Sequence, residues 1–177
     1  MKFLRVIVVS ITLLFVCSTG LAKDKNVPHG QLHFEGFAGL CFFNPMGVTT
    51  ATKGGISFEY GYEFGYLIET DHELVNGWEI LISNTRTNKA GKAFFFGTAT
   101  LEPDITPGST LAGKFYFPSD ANPIRGNYFG TGELEGVVVQ YELVPTDLSD
   151  LSNFCGEGFP PIFGYLMSGK VHNYETP

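Results

Sequence analysis

Four histidines, three cysteines and eighteen acidic side chains are the groups in this 177-residue chain best suited to holding a metal or moving a proton. Their spacing leaves little of that chemistry open. His29 and His33 stand four apart, the separation that chelates a metal on a helix, but the residues around them read as a loose arm leading into a strand. His72 belongs to the contiguous triplet Asp71-His72-Glu73, which cannot close a site, and His172 lies near the chain end. No metal site is expected. Glu59 and Glu63 share a strand face but sit about 13 Å apart at strand rise, too far for the carboxylate pair of a glycosidase. They read as solvated carboxylates of an outer face. The chain contains no G-x-S-x-G, H-E-x-x-H or G-x-x-x-x-G-K-[ST] run. Gly130-Thr131-Gly132-Glu133-Leu134-Glu135-Gly136 has the wrong spacing for a dinucleotide fingerprint, and the alternating β-branched residues after it give a strand where a helix is required.

The aromatic residues are the stronger signal. In Ile56 to Ile68, Phe58, Tyr60, Tyr62, Phe64 and Tyr66 fall on one parity and Glu59, Gly61, Glu63 and Gly65 on the other, a period of two that defines a β-strand with one aromatic face. A filled core accounts for such a face. So does a cavity or cleft lined by Tyr60, Tyr62, Tyr66, Trp78 and Tyr165, in which rings hold an apolar ligand and hydroxyls orient it. A tyrosine hydroxyl buried without a partner costs on the order of 1 to 3 kcal/mol, so these residues call for water, a protein partner group or a ligand.

Lys2 and Arg5 precede the apolar run Val6 to Val16, and Gly20-Leu21-Ala22 supplies a small-x-small cleavage site. Residues 1–22 therefore read as an export signal, with residues 23–177 as one domain beginning at Lys23. Cys17 leaves with the signal. The two cysteines that remain, Cys41 and Cys155, are expected to pair in an oxidising compartment, outside the cell or in the periplasm. The formal net charge of −7, made more negative by loss of Lys2 and Arg5, disfavours nucleic acid and anionic membrane surfaces. No other apolar run approaches the ~20 residues of a transmembrane helix.

The elements that must position these residues are short and regularly spaced. Gln31 to Phe43, the aromatic strand, Trp78 to Thr85, Lys92 to Leu101, Thr110 to Phe117, Asn127 to Gly130, Glu133 to Val144 and Ile162 to Val171 read as strands. Asn44 to Gly55 reads as a loop, and Asp147 to Phe154 as one or two helical turns. Turn signals between strands and no crossover helix predict an all-β fold, a single antiparallel barrel or sandwich.

Gly130, Gly132, Glu135, Gly136, Gln140 and Leu143 follow a G-x-G-x-x-E-G-x-x-x-Q-x-x-L run that resembles the allene oxide cyclases. Phe163-Gly164-Tyr165-Leu166-Met167-Ser168-Gly169 is similar to that family's last strand. The resemblance implies an up-and-down β-barrel of about eight strands, shared with dirigent proteins, with an apolar cavity and no cofactor. It also implies a catalytic carboxylate on an early strand, where Glu35 is the candidate. The signal and the cysteine pair depart from that family. The function expected is an exported binding or interaction module for an apolar small molecule or a protein partner. The alternatives are an isomerase or cyclase of an apolar substrate and an envelope protein without a ligand.

Overall fold

The computed structural model describes residues 32–45 and 47–174. The signal, the Lys23 terminus and His29 lie outside them. The strands are β1 (Leu32–Asn44), β2 (Thr49–Lys53), β3 (Ile56–Thr70), β4 (Gly77–Thr87), β5 (Ala93–Pro103), β6 (Leu111–Pro118), β7 (Ile124–Gly130), β8 (Val138–Thr146) and β9 (Phe163–His172). From β3 to β9 each strand pairs antiparallel with the next, and β1 bonds to both β9 and β3, closing an eight-stranded barrel with β2 as an extra strand beside β3. Closure satisfies the backbone groups that an open sheet would leave at its edges.

Three local readings are corrected. The Asn44 to Gly55 stretch holds β2, which pairs with the first residues of β3. Gly132–Leu134 is a 3-10 turn, so the next strand begins at Val138 and not at Glu133. Asp147 to Phe154 forms successive turns and no helix, with the Asp147 carboxylate accepting the Ser149 N–H, a local bond that competes with helical pairing.

One end of the barrel is sealed. Leu74 and Val75 of the β3–β4 connection and Leu134 of the β7–β8 connection are buried among Leu101, Leu111, Val139 and Val171. The other end is shaped by two bulges. In β1 the register against β3 slips between Leu40 and Phe42, and in β3 the register against β4 slips between Glu59 and Tyr62. An extra residue in one strand reverses the parity beyond it. Gly61 makes the second bulge possible by adopting φ +88°, a left-handed backbone that a side chain would oppose. Its N–H donates to Asn84 Oδ1 at 3.1 Å, and Asn84 Nδ2 donates to the Phe96 carbonyl at 3.3 Å. The aromatic strand therefore has no single unbroken face. Tyr62, Phe64 and Tyr66 turn inward, whereas Phe58 and Tyr60 lie on the outer parity.

The 147–162 connection folds back on the wall. Gly39 and Gly164 are cross-strand partners, and this pair of missing side chains makes a recess. A Cβ on Gly39 would lie 2.5 Å from the Phe154 ring, and one on Gly164 would lie 2.3 Å from Leu148. Cys41, at the β1 bulge, is disulfide-bonded to Cys155, and the Ile162 N–H donates to the Leu40 carbonyl at 2.7 Å. The expected cysteine pair thus fastens this connection beside the open end. Among the described residues no helix is long and apolar enough to cross a membrane.

Candidate functional site

Inward-facing residues change from sealed to accessible along the barrel. Phe34, Ile68, Leu101 and Met167 are buried, whereas Phe64, Tyr66, Leu81, Phe95, Phe117, Leu143 and Tyr165 are half-buried although their parity also turns them inward. Their exposure opens through the unsealed end. At the rim the Phe43 ring, 42% exposed, lies 5.0 Å from Phe64 and 6.1 Å from Tyr62 between centroids. The Tyr62 hydroxyl donates to Glu59 Oε2 at 2.7 Å, and that bond, before any burial, raises the Tyr62 pKa. Deeper, Tyr66 and Tyr165 face each other from β3 and β9 with centroids 6.2 Å apart. Burial raises both pKa values.

Below this pair stands a carboxyl group. Glu79, 4% exposed, is the direct cross-strand partner of Tyr66 and Leu101. Tyr128 donates to Glu79 Oε1 at 2.5 Å. Burial pushes the Glu79 carboxyl up to about 7, partly opposed by the Tyr128 bond. Tyr128 stacks on Tyr141 at 4.6 Å. Burial, followed by the charge of Glu79, raises both phenols. A carboxyl poised near neutrality among phenols can hold or release a proton in the physiological range.

The structure therefore divides the residues expected to form a site. Tyr62, Tyr66 and Tyr165 come together inside the open end. Tyr60 is displaced to the outer parity by the bulge, and Trp78, 45% exposed, lies on the outer wall with Ile80 and Ile82. Glu35 is also outward and exposed, because strand parity points Phe34 into the core beside it. Glu59, expected on an outer face, is turned by the bulge to the inner parity at the rim, and Glu63, which remains outward, accepts from Asn44 Nδ2 at 3.5 Å. Glu79, Tyr128 and Tyr141 were not anticipated. The available signal was a glutamate between Trp78 and Ile80, an isolated charge in an apolar run.

Two grooves lie on the outer surface of the described residues. One crosses β7, β8, β9 and β1 between the polar rows Arg125, Glu142, Ser168, Glu35 and Asn127, Gln140, Lys170, His33, and Arg125 pairs with Glu142 at 2.6 Å within the first row. The other lies over β5, β6 and β7, floored by Ala99 and Gly113. Neither includes Glu79. Among the described residues no three His, Cys, Asp or Glu side chains are grouped to hold a metal ion.

Fold and site together define a closed antiparallel β-barrel with one sealed end, one aromatic mouth and a buried carboxyl between them. No family model, curated protein or solved structure matches the chain.

Proposed function

We propose that the barrel is a binding module that takes an apolar small molecule into its open end and works in an oxidising compartment, secreted or periplasmic. Ring faces of Phe43, Phe64, Phe95 and Phe117 hold the apolar body, and the Tyr66–Tyr165 hydroxyls meet a polar group on it. The observation that carries this reading is the gradient of exposure among inward-facing residues, from sealed at Leu74 and Leu134 to accessible at Tyr66 and Phe64. Barrel mouths are a usual place for such sites. The Cys41–Cys155 bond accords with an oxidising compartment.

Titration with the neutral fluorophore N-phenyl-1-naphthylamine tests the reading. Saturable binding that weakens by roughly five- to tenfold in Phe43→Ala is expected, about the loss of one apolar ring contact. The absence of saturable binding to the wild-type barrel would sink it.

A second reading, an isomerase or cyclase of an apolar substrate, has one observation in its favour, the Glu79 carboxyl held near neutrality. It requires that a substrate reach Glu79 past Tyr66. Turnover of any candidate substrate should then vanish in Glu79→Gln while N-phenyl-1-naphthylamine affinity is retained, and unchanged turnover excludes Glu79 as the acid or base.

A further inference from the structure

Among the described strands, β2 alone has a neighbour on one side only. All five of its residues are exposed, so the N–H and C=O groups of its free side face solvent. Edges of this kind are usually blunted by proline, a bulge or charge. Thr49-Thr50-Ala51-Thr52 carries none of these, and Lys53 only closes the segment. We propose that the free edge of β2 pairs antiparallel with β2 of a second copy of this chain, about a two-fold axis through Ala51.

The register argues for a second copy over an unrelated strand. Antiparallel pairing centred on Ala51 sets Thr50 against the second copy's Thr52 and Lys53 against the second copy's Thr49. No like charges meet, and opposed threonines suit a cross-strand pair. Thr49, Ala51 and Lys53 share a face with their β3 partners Tyr60, Phe58 and Ile56, where the Phe58 and Tyr60 rings stack at 6.0 Å. Ala51 is small enough to let the two Phe58 rings flank the axis. Lys53 arrives beside the second copy's Tyr60, itself exposed, and a cation over a tyrosine face is attractive.

The basic groups of the tip, Lys53 and the Lys89 that lies against Gly55, do not oppose the pairing at the edge itself: the two-fold register sets the two Lys53 side chains at opposite ends of the shared strands, about 13 Å apart at strand rise. A five-residue edge buries little surface, so the dimer is concentration-dependent.

Directly opposed residues of an antiparallel pair have Cα atoms about 4.5 to 5.5 Å apart, within disulfide range. Mild oxidation of full-length Ala51→Cys protein should give a linked dimer at least tenfold faster than Ala90→Cys, an exposed control on the β4–β5 turn, as expected for a preformed contact at high effective concentration. Adding Thr50→Lys and Thr52→Lys to Ala51→Cys opposes lysines across the axis, on side chains that are exposed in the single chain, and should return the rate to that of the control. Equal rates for Ala51→Cys and Ala90→Cys would overturn the inference, and so would fast linkage that survives the two lysines.

Discussion

Glu79 on β4 and Tyr128 on β7 reach across the barrel interior to form one 2.5 Å hydrogen bond. In the unfolded chain Glu79 ionises near 4.5, whereas in the barrel it keeps its proton to about 7. The folded state therefore binds more protons in that window, and stability falls as pH rises through it. The loss amounts to about 3 kcal/mol once both states are ionised. Urea melts of Glu79→Gln, which keeps an acceptor for Tyr128, should be flat across this window and exceed the wild type above it. A wild-type midpoint that does not fall between these limits would contradict the buried, protonated carboxyl.

Removing the donor has the opposite consequence. The Tyr128 bond opposes the upward shift of Glu79, so Tyr128→Phe should move the falling limb of the stability profile to higher pH. It should also cost about 1 to 3 kcal/mol at neutral pH, through an acceptor left unpaired in the core.

Tyr62 and Tyr165 should respond differently to loss of a hydroxyl. The Tyr62 hydroxyl is engaged with Glu59 at the rim, so Tyr62→Phe should leave the urea midpoint and the affinity for N-phenyl-1-naphthylamine nearly unchanged. The Tyr165 ring faces Tyr66 inside the open end, where its hydroxyl can meet a ligand. Tyr165→Phe should weaken binding of 2-acetylnaphthalene by about tenfold, the worth of one hydrogen bond in a dry site, while 2-ethylnaphthalene binds as before. Equal effects on both compounds would place the polar contact elsewhere.

The bulge at Gly61 should control the mouth. Asn84→Leu removes the acceptor of the Gly61 N–H and the donor to the Phe96 carbonyl. A loss of about 1 to 3 kcal/mol is expected for the unpaired groups, together with weaker probe binding, because the inward turn of Tyr62 and Phe64 depends on that extra residue. Retained affinity in the destabilised variant would separate the mouth from the bulge.

The 147–162 connection should come loose in two independent ways. Gly39→Val drives a side chain into the Phe154 ring, at about 1 to 3 kcal/mol for overpacking. Replacing Cys41 and Cys155 by serine removes a cross-link between positions 114 residues apart, worth about 2 to 5 kcal/mol. Limited proteolysis should then cut between Ser149 and Pro160 in both variants and spare the wild type.

Much of this architecture was legible in the chain. Period-two alternation with turn residues between runs determined the strands and an antiparallel barrel or sandwich built from them, because side-chain parity is local; closure into eight strands was what the resemblance implied. Cys41 and Cys155, the two cysteines of residues 23–177, determined their own pairing. Which parity faces inward was a tertiary decision. On β4, Trp78, Ile80 and Ile82 form the more apolar set, and Glu79, Leu81 and Ser83 the mixed one, yet the mixed set is inside. A strand contains no information about the strand three places around the ring, and it is Tyr128 there that makes a buried Glu79 tolerable. The same limit applies to the aromatic strand. Its five rings share one parity in the sequence, but closure against β1 and β4 introduced bulges at Cys41 and Gly61, and one inserted residue in a period of two exchanges the faces. Tyr60 went outward, Tyr62 went inward, and the mouth of the barrel came from that exchange.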